Sequence, residues 1–174
     1  MIRVGITGQN GFIGYHVTQH LRLEPDKYEI VPFERDAFAD DSKLQEFVKS
    51  CDKIIHLAAM NRGDENEIYQ TNISLVQKLI SAMESAKVTP HILFSSSTQE
   101  TRGNLYGNSK KEGAELFQKW ADRNNAVFSH FVIPNVFGPF GKPYYNSVTA
   151  TFCHQLTHNE TPVINVDATM NLIY

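Results

Sequence analysis

Cysteine is nearly absent: Cys51 and Cys153 are the only two in 174 residues, too few to staple a secreted scaffold. No apolar run approaches the roughly 18 to 20 residues that a membrane-spanning helix requires. An excess of positive charge is also missing, since 16 basic against 19 acidic side chains leave a net charge of -3. Nucleic acid and anionic lipid therefore have no electrostatic footprint to bind. The N-terminus opens directly into an apolar strand-like run, without the anatomy of a secretory leader. These absences point to a soluble protein of the reducing cytoplasm with neither a nucleic-acid nor a membrane partner. Repeats, low-complexity tracts and linkers are lacking as well. What remains is ordinary globular composition, 41% hydrophobic and 20% charged, in a length that suits one well-buried domain spanning 1–174.

Short apolar runs alternate with longer stretches of helical period, the pattern of βαβ units and a parallel sheet. Strands are predicted at 2–7, 28–33, 53–58, 90–95 and 126–133, and helices at 11–21, 41–50, 65–86, 106–124 and 147–158. The fold class is therefore α/β, a doubly wound parallel sheet of Rossmann type. After residue 158 the stretch "TPVINVDATMNLIY" turns apolar again and stops without a cap or polar tail. A fragment of a longer protein is expected.

At the first strand-to-helix turn, "ITGQNGFIGYHV" sets Gly8, Gly11 and Gly14 in the spacing GxxGxxG, led by Thr7. Glycine there permits a tight turn and close backbone approach, and a helix N-terminus offers free N–H groups to a pyrophosphate. Phe12 and Ile13, between the second and third glycines, belong to the same cradle. About twenty residues on, where an adenosine ribose would be read, "PFERD" presents neighbours of opposite sign. Glu34 would bond a ribose 2′-hydroxyl and favour NAD(H); Arg35 would pair with a 2′-phosphate and favour NADP(H). Repulsion between an acid and a 2′-phosphate lets only one of them face the ribose, and Arg35 with NADP(H) is preferred.

Tyr106 and Lys110 form a YxxxK pair, which on its own is weak: with seven tyrosines a chance match is expected about 0.4 times. Their placement says more. Gly113, Phe117, Trp120 and Ala121 follow at helical spacing and mark an inward stripe that contains both residues. A lysine there needs a partner, because an unpaired buried ammonium is costly. Just upstream "HILFSSSTQE" reads as a buried strand tipped by serines, and ligands of open parallel sheets lie beyond the carboxyl ends of strands. Ser97, with Ser96 as its rival, completes an acid–base set. A nearby cation together with the charge of the nicotinamide is expected to lower the phenol's pKa from about 10, and Lys110 supplies the cation.

The TGxxGxxG turn with Ser97, Tyr106 and Lys110 resembles the short-chain dehydrogenase/reductase superfamily. Further stretches are similar to its extended, nucleotide-sugar branch: "KIIHLAAMNR", with Leu57, Ala58 and Ala59 beside the cofactor; "YQTNISLVQKLISAM", carrying Asn72; and "PNVFGP", in which Asn135 would touch the sugar nucleotide. "SSSTQETRGNLYGNSK", "MNR" and "KPYYNSVTATFCHQLTHNE", which includes Lys142 and Asn146, narrow the likeness. They resemble the reductase half of bifunctional capsule and O-antigen enzymes of UDP-N-acetyl-L-fucosamine synthesis. That resemblance implies NADPH-dependent reduction of the 4-keto group of a UDP-2-acetamido-2,6-dideoxy-hexos-4-ulose, with a UDP-sugar as substrate and a homodimer as the assembly. Tyr106 would exchange the proton, Ser97 would bond the substrate oxygen, and Lys110 would also hold the nicotinamide ribose. Asn72 would lie on the cofactor side.

The chain departs from that family in three respects. No cupin segment is present, so C3 epimerisation is not assigned; the chain stops before the complete substrate lobe; and Val132 stands where many relatives have Arg, which leaves Arg62 or Lys142 to meet the diphosphate. An NAD-dependent 4-epimerase would use the same three residues, and a non-catalytic cofactor-binding module is the third possibility. His154 and His158, near Cys153, and His16 with His20 lack a third spaced ligand and read as ordinary helix residues rather than a metal site. Cys51 reads as a small packing residue.

Overall fold

The computed structural model describes residues 1–164 and 166–174. Its elements in chain order are β1 (Ile2–Thr7), α1 (Phe12–Leu21), β2 (Tyr28–Val31), α2 (Asp41–Lys49), β3 (Lys53–His56), α3 (Glu65–Ala86), β4 (His91–Ser97), α4 (Leu105–Asn124), β5 (Phe128–Ile133), β6 (Asn135–Val136), α5 (Val148–Thr157) and β7 (Leu172–Ile173). Two 3-10 turns, Arg35–Ala39 and Thr98–Thr101, follow β2 and β4. All five helices foreseen from periodicity are present, each within one residue of its expected bounds.

The main sheet has the order β2-β1-β3-β4-β5. β1 pairs in parallel with β2 and β3, and β3 with β4; the register aligns Thr7 with His56 and His56 with Phe94. Since β1 leads to β2 on one side and every later connection runs the other way, right-handed crossovers put α1 on one face and α2, α3 and α4 on the other. The second face carries the core: Leu44, Phe47 and Val48 of α2, Val76, Leu79 and Met83 of α3, and Phe117 and Trp120 of α4 close over Ile54, Ile92 and Phe94. Burial along β4 alternates strictly, with Ile92, Phe94 and Ser96 turned under that helical layer.

Local chemistry fixes the ends of the helices. The Asp40 carboxylate accepts from the N–H groups of Ser42 and Lys43 to start α2, and Asp64 accepts from Asn66 and Glu67 to start α3. α3 and α4 both end on left-handed residues, Lys87 at φ 55° and Asn125 at φ 51°.

Two compact units divide the chain, Met1–Val132 and Ile133–Tyr174, where hydrophobic patterning alone reads a single domain over 1–174. The physical reason lies in the second stretch, which builds a sheet of its own. There β6 and β7 pair in parallel, Asn135 with Leu172 and Val136 with Ile173, and α5 buries none of its residues. The terminal apolar stretch thus contributes a short strand. Among the described residues no helix is long and apolar enough to cross a membrane.

One ionisable group sits in the core of the first unit. His56 is 1% exposed; its ring stacks on Phe94 at 5.8 Å and meets Phe117 edge-on at 5.7 Å. Burial, helped by the charge of Lys110, pushes its pKa from 6.5 down to about 3. The unfolded chain therefore takes up a proton that the native protein refuses, and stability must fall as pH drops from 6.5 towards about 3. In urea unfolding across that window, His56 should contribute up to about 1.4 kcal/mol per pH unit to the slope, one proton's worth. His56→Gln should flatten the curve by that amount; an unchanged slope would show that His56 is charged in the native state.

Candidate active site

Thr7 ends β1 and is completely buried. Its hydroxyl lies 2.7 Å from His56 Nδ1 and accepts from the N–H of Ala58 at 3.4 Å, so it ties the carboxyl end of β1 to that of β3. The chain then turns at Gly8, whose φ of +79° and distance to Ala58 leave no room for a side chain: a Cβ would stand 2.9 Å from the Ala58 nitrogen. Gly14 is tighter still, since its Cβ would fall 2.1 Å from the Gly8 carbonyl oxygen. Gly11 occupies the N-cap position of α1 without any side-chain cap, and the first turn contains no acid. Phe12 and Ile13 open the helix, half-buried. Free N–H groups, the positive end of the helix dipole and a turn stripped of side chains together suit a phosphate. Gln9 bonds the Phe33 carbonyl at 2.8 Å and so joins this turn to the end of β2.

Leu57, Ala58 and Ala59 run from β3 past the glycine turn, and the Leu57 N–H donates to the Thr7 carbonyl at 3.1 Å. Arg62 is exposed in the same loop. Asn72 is 4% exposed and fully engaged within the chain. Its carboxamide oxygen accepts from Met60 N–H at 2.7 Å, while its nitrogen donates to the Met60 carbonyl and to Ser109 Oγ, each at 3.0 Å. The side chain latches the loop after β3 onto α4.

Ser109 passes that latch on by donating to the Tyr106 carbonyl at 2.7 Å. The start of α4 is set from the other side by Asn104, which accepts from Gly107 N–H at 2.7 Å and donates to the Gln99 side chain at 3.0 Å. A Cβ on Gly107 would lie 2.0 Å from the Gln99 carbonyl oxygen, so the first turn of α4 rests directly on the 3-10 turn that Ser97 begins. Ser97 and Tyr106 are thus positioned by one rigid contact between backbones.

Lys110 is 4% exposed. Its ammonium donates to the Ser95 carbonyl at 3.0 Å and lies 5.0 Å from the centre of the Phe94 ring and 5.9 Å from that of Tyr106. Burial brings its pKa down to about 8, and Glu100 acts in the opposite direction. The inward stripe is as expected, with Lys110, Gly113, Phe117, Trp120 and Ala121 all buried. From the protein's own groups, burial pushes Tyr106 above its ordinary value of 10. The ammonium is anchored on Ser95 and sits nearer Phe94 than Tyr106, so desolvation wins. Between the serines the structure distinguishes plainly. Ser96 is buried and gives its hydroxyl to Glu100, whereas half-buried Ser97 accepts from Gln99 N–H at 3.2 Å and gives its own proton to no group among the described residues.

At the end of β2 the two neighbours also differ. Glu34 lies 3.8 Å from Lys43, while Arg35, exposed at the start of its 3-10 turn, forms no ion pair among the described residues. Asn135, Lys142 and Asn146 belong to the second unit, where all three are exposed; the Lys142 ammonium lies 5.4 Å over the Tyr145 ring. Sequence reasoning missed the Glu100 carboxylate, which accepts from Ser96 and lies 2.9 Å from His130 Nε2. No motif spacing marks it; only the alternation that turns Ser96 inward hinted that its hydroxyl needed a partner.

The family model described as "NAD dependent epimerase/dehydratase family" matches residues 4–174. A UDP-2-acetamido-2,6-beta-L-arabino-hexul-4-ose reductase of Pseudomonas aeruginosa is 35% identical over 175 residues, covering 99% of this chain and 46% of that protein. Among solved structures, the capsular polysaccharide assembling protein CapF of Staphylococcus aureus superposes with a TM-score of 0.82 at 30% identity, over 99% of this chain and 45% of CapF. A UDP-glucose 4-epimerase of Thermotoga maritima shares the fold, with a TM-score of 0.80 at 19% identity over 91% of this chain and 64% of that one. The chain spans about half the length of the reductase and of CapF. With a glycine turn, a serine-tipped β4 and a Tyr106–Lys110 helix in the order the family model matches, this chain belongs to the NAD dependent epimerase/dehydratase family.

Proposed function

We propose that this chain is the cofactor-binding and catalytic portion of a nucleotide-sugar reductase, which uses NADPH to reduce the C4 ketone of a UDP-2-acetamido-2,6-dideoxy-hexos-4-ulose for capsule or O-antigen synthesis. The observation that carries the reading is Lys110, a buried ammonium fixed on the Ser95 carbonyl one helical turn from Tyr106 and two residues from Ser97. The similar reductase supplies the substrate class, and CapF the link to capsular polysaccharide.

The residues present fit a dinucleotide. Gly8 and Gly14 keep the turn bare where a pyrophosphate approaches, the uncapped start of α1 offers its N–H groups, and Leu57 to Ala59 form the wall beside it. When bound, NADPH supplies the hydride. The protein supplies the rest: Ser97, with its hydroxyl proton uncommitted, donates to the ketone oxygen, and Tyr106 delivers the proton that becomes the alcohol. Lys110 would favour the negative charge that develops on the ketone oxygen and would hold the nicotinamide ribose. Arg35, which forms no ion pair among the described residues, would pair with the 2′-phosphate. Arg62 in the first unit, and Asn135, Lys142 and Asn146 in the second, are each proposed to bind the UDP-sugar on the family resemblance alone. A second copy of the chain is the proposed partner, and the cytoplasm the proposed compartment.

Two substitutions test this. In the intact protein, Tyr106→Phe should lower ketone-dependent NADPH oxidation by about 10²- to 10⁴-fold with little change in NADPH binding. An unchanged rate would remove Tyr106 from the chemistry, whereas a parent protein that binds NADPH and never oxidises it with the ketone would be a cofactor-binding module. A 4-epimerase, in contrast, would interconvert its sugars without net NADPH consumption. Arg35→Ala should weaken NADPH binding by about tenfold or more while NADH binding stays nearly constant; equal losses would transfer the ribose to Glu34 and NAD.

A further inference from the structure

Ser97 and Tyr106 lie on either side of one 3-10 turn, Thr98–Thr101, and that turn has an anchor of its own. Glu100, its third residue, has a side chain only 13% exposed. Its Oε1 accepts from the Ser96 hydroxyl on β4 and lies 2.9 Å from His130 Nε2 on β5. A carboxylate can only accept, so the ring nitrogen donates, and two donors from neighbouring strands converge on one oxygen. His130 is fixed in turn by stacking on Phe94 at 6.4 Å and on Phe128 at 6.3 Å. The bond from Ser96 to Glu100 closes residues 96–100 into a ring, and Ser97 is a member of it. Inside that ring the Ser97 hydroxyl accepts from Gln99 N–H at 3.2 Å. On the far side the Gln99 carbonyl carries the first turn of α4, where Gly107 has no room for a Cβ, and the Gln99 side chain accepts from Asn104 at 3.0 Å. Those contacts hold the turn to α4; the Glu100 carboxylate ties it to the sheet.

We propose that Glu100 is a positioning residue for Ser97: its carboxylate, clamped between Ser96 on β4 and His130 on β5, tethers the turn that holds the Ser97 hydroxyl in place. It acts through the backbone of residues 96–100 and not on the reacting atoms. Its catalytic consequence rests on the reductase reading above; the tether itself does not. A hydroxyl that must meet a developing charge loses most of its effect when it is displaced by about 1 Å, at a cost of up to about a hundredfold in rate. Glu100 supplies the restraint from the sheet side, so its loss lets Ser97 drift with the turn while the glycine cradle at the end of β1 stays as it was. The effect therefore belongs to turnover and not to cofactor binding.

The test compares Glu100→Ala with the parent in the intact protein. Amide hydrogen exchange at Gln99, whose N–H is held by Ser97, should speed up by about tenfold or more. With a UDP-2-acetamido-2,6-dideoxy-hexos-4-ulose as substrate, kcat should fall by about ten- to a hundredfold, while the Kd for NADPH stays within about twofold. An unchanged exchange rate, or a loss of NADPH binding as large as the loss of kcat, overturns the proposal. A double-mutant cycle adds a readout that mere destabilisation would not move. In a Ser97→Ala background the same substitution should cost less than about threefold in kcat, and a fully additive loss overturns the proposal. Glu100→Gln still accepts from both donors and should restore most of the rate; a Gln variant as slow as the Ala variant overturns the tether. If Glu100→Ala does not fold, His130→Phe decides, since it keeps a ring to stack on Phe94 and Phe128 and removes one donor. Unmoved Gln99 exchange and kcat in that variant overturn the proposal equally. A parent that never oxidises NADPH with the ketone sinks the reductase reading instead, and the Gln99 exchange rate alone then decides the tether.

Discussion

The hydrogen bond from Lys110 to the carbonyl of Ser95 joins α4 to the end of β4 at the point where both must be held. A lysine side chain is long and prefers water, so burying it requires a close and exact path to its acceptor. Gly113 eases that approach: a Cβ there would stand 3.2 Å from the Phe94 ring and 3.3 Å from Val76, so both side chains would have to give for α4 to settle this near to β4 and α3. Below it Phe117 and Trp120, both fully buried, lock the helix against the core. Next to it His56 is held neutral, because burial and the lysine charge both disfavour its protonated form. The cation thus shapes the protonation of the core as well as the site.

A second constraint sets the height of these groups above the sheet. The register aligns Thr7, His56 and Phe94 across three strands, and from that line each chain continues differently. β1 turns at once into the glycine cradle, β3 runs on as Leu57 to Ala59, and β4 extends three residues further to Ser97. The serine is therefore carried beyond the phosphate-sized turn rather than beside it. Asn72 keeps the intervening loop in place by satisfying both backbone groups of Met60 while bonding Ser109. Buried polar groups arranged this way fix a unique geometry because breaking one strands its partner without water.

The parts of this arrangement legible in the sequence are those governed by period and by backbone restriction. Lys110 on an inward stripe, Gly8 and Gly14 at a turn, and the alternation of strand with helix each follow from one dimension of information. Ser97 could be preferred to Ser96 only loosely, because the choice depends on which hydroxyl is already employed, and the acceptor for Ser96 lies in a 3-10 turn that no periodicity announces. Glu100 stayed hidden for the same reason. Asn72 enters only through the resemblance of its helix, and its bonds to the backbone of Met60, twelve positions away, and to Ser109 follow no sequence period. The separate unit after residue 132 was illegible since its strands are two residues long.

The protonation of the pair carries the last step. Burial disfavours charge, so it raises a phenol and lowers an ammonium: Tyr106 moves above 10 and Lys110 down to about 8. At neutral pH the phenol keeps its proton and the lysine remains mostly cationic. A site in that state holds a donor ready for an oxygen that gains negative charge, and a cation to receive that charge, which is what reduction of a ketone demands. For the proposed reduction these are the protonation states in which Tyr106 donates, whereas oxidation of an alcohol would begin from the phenolate.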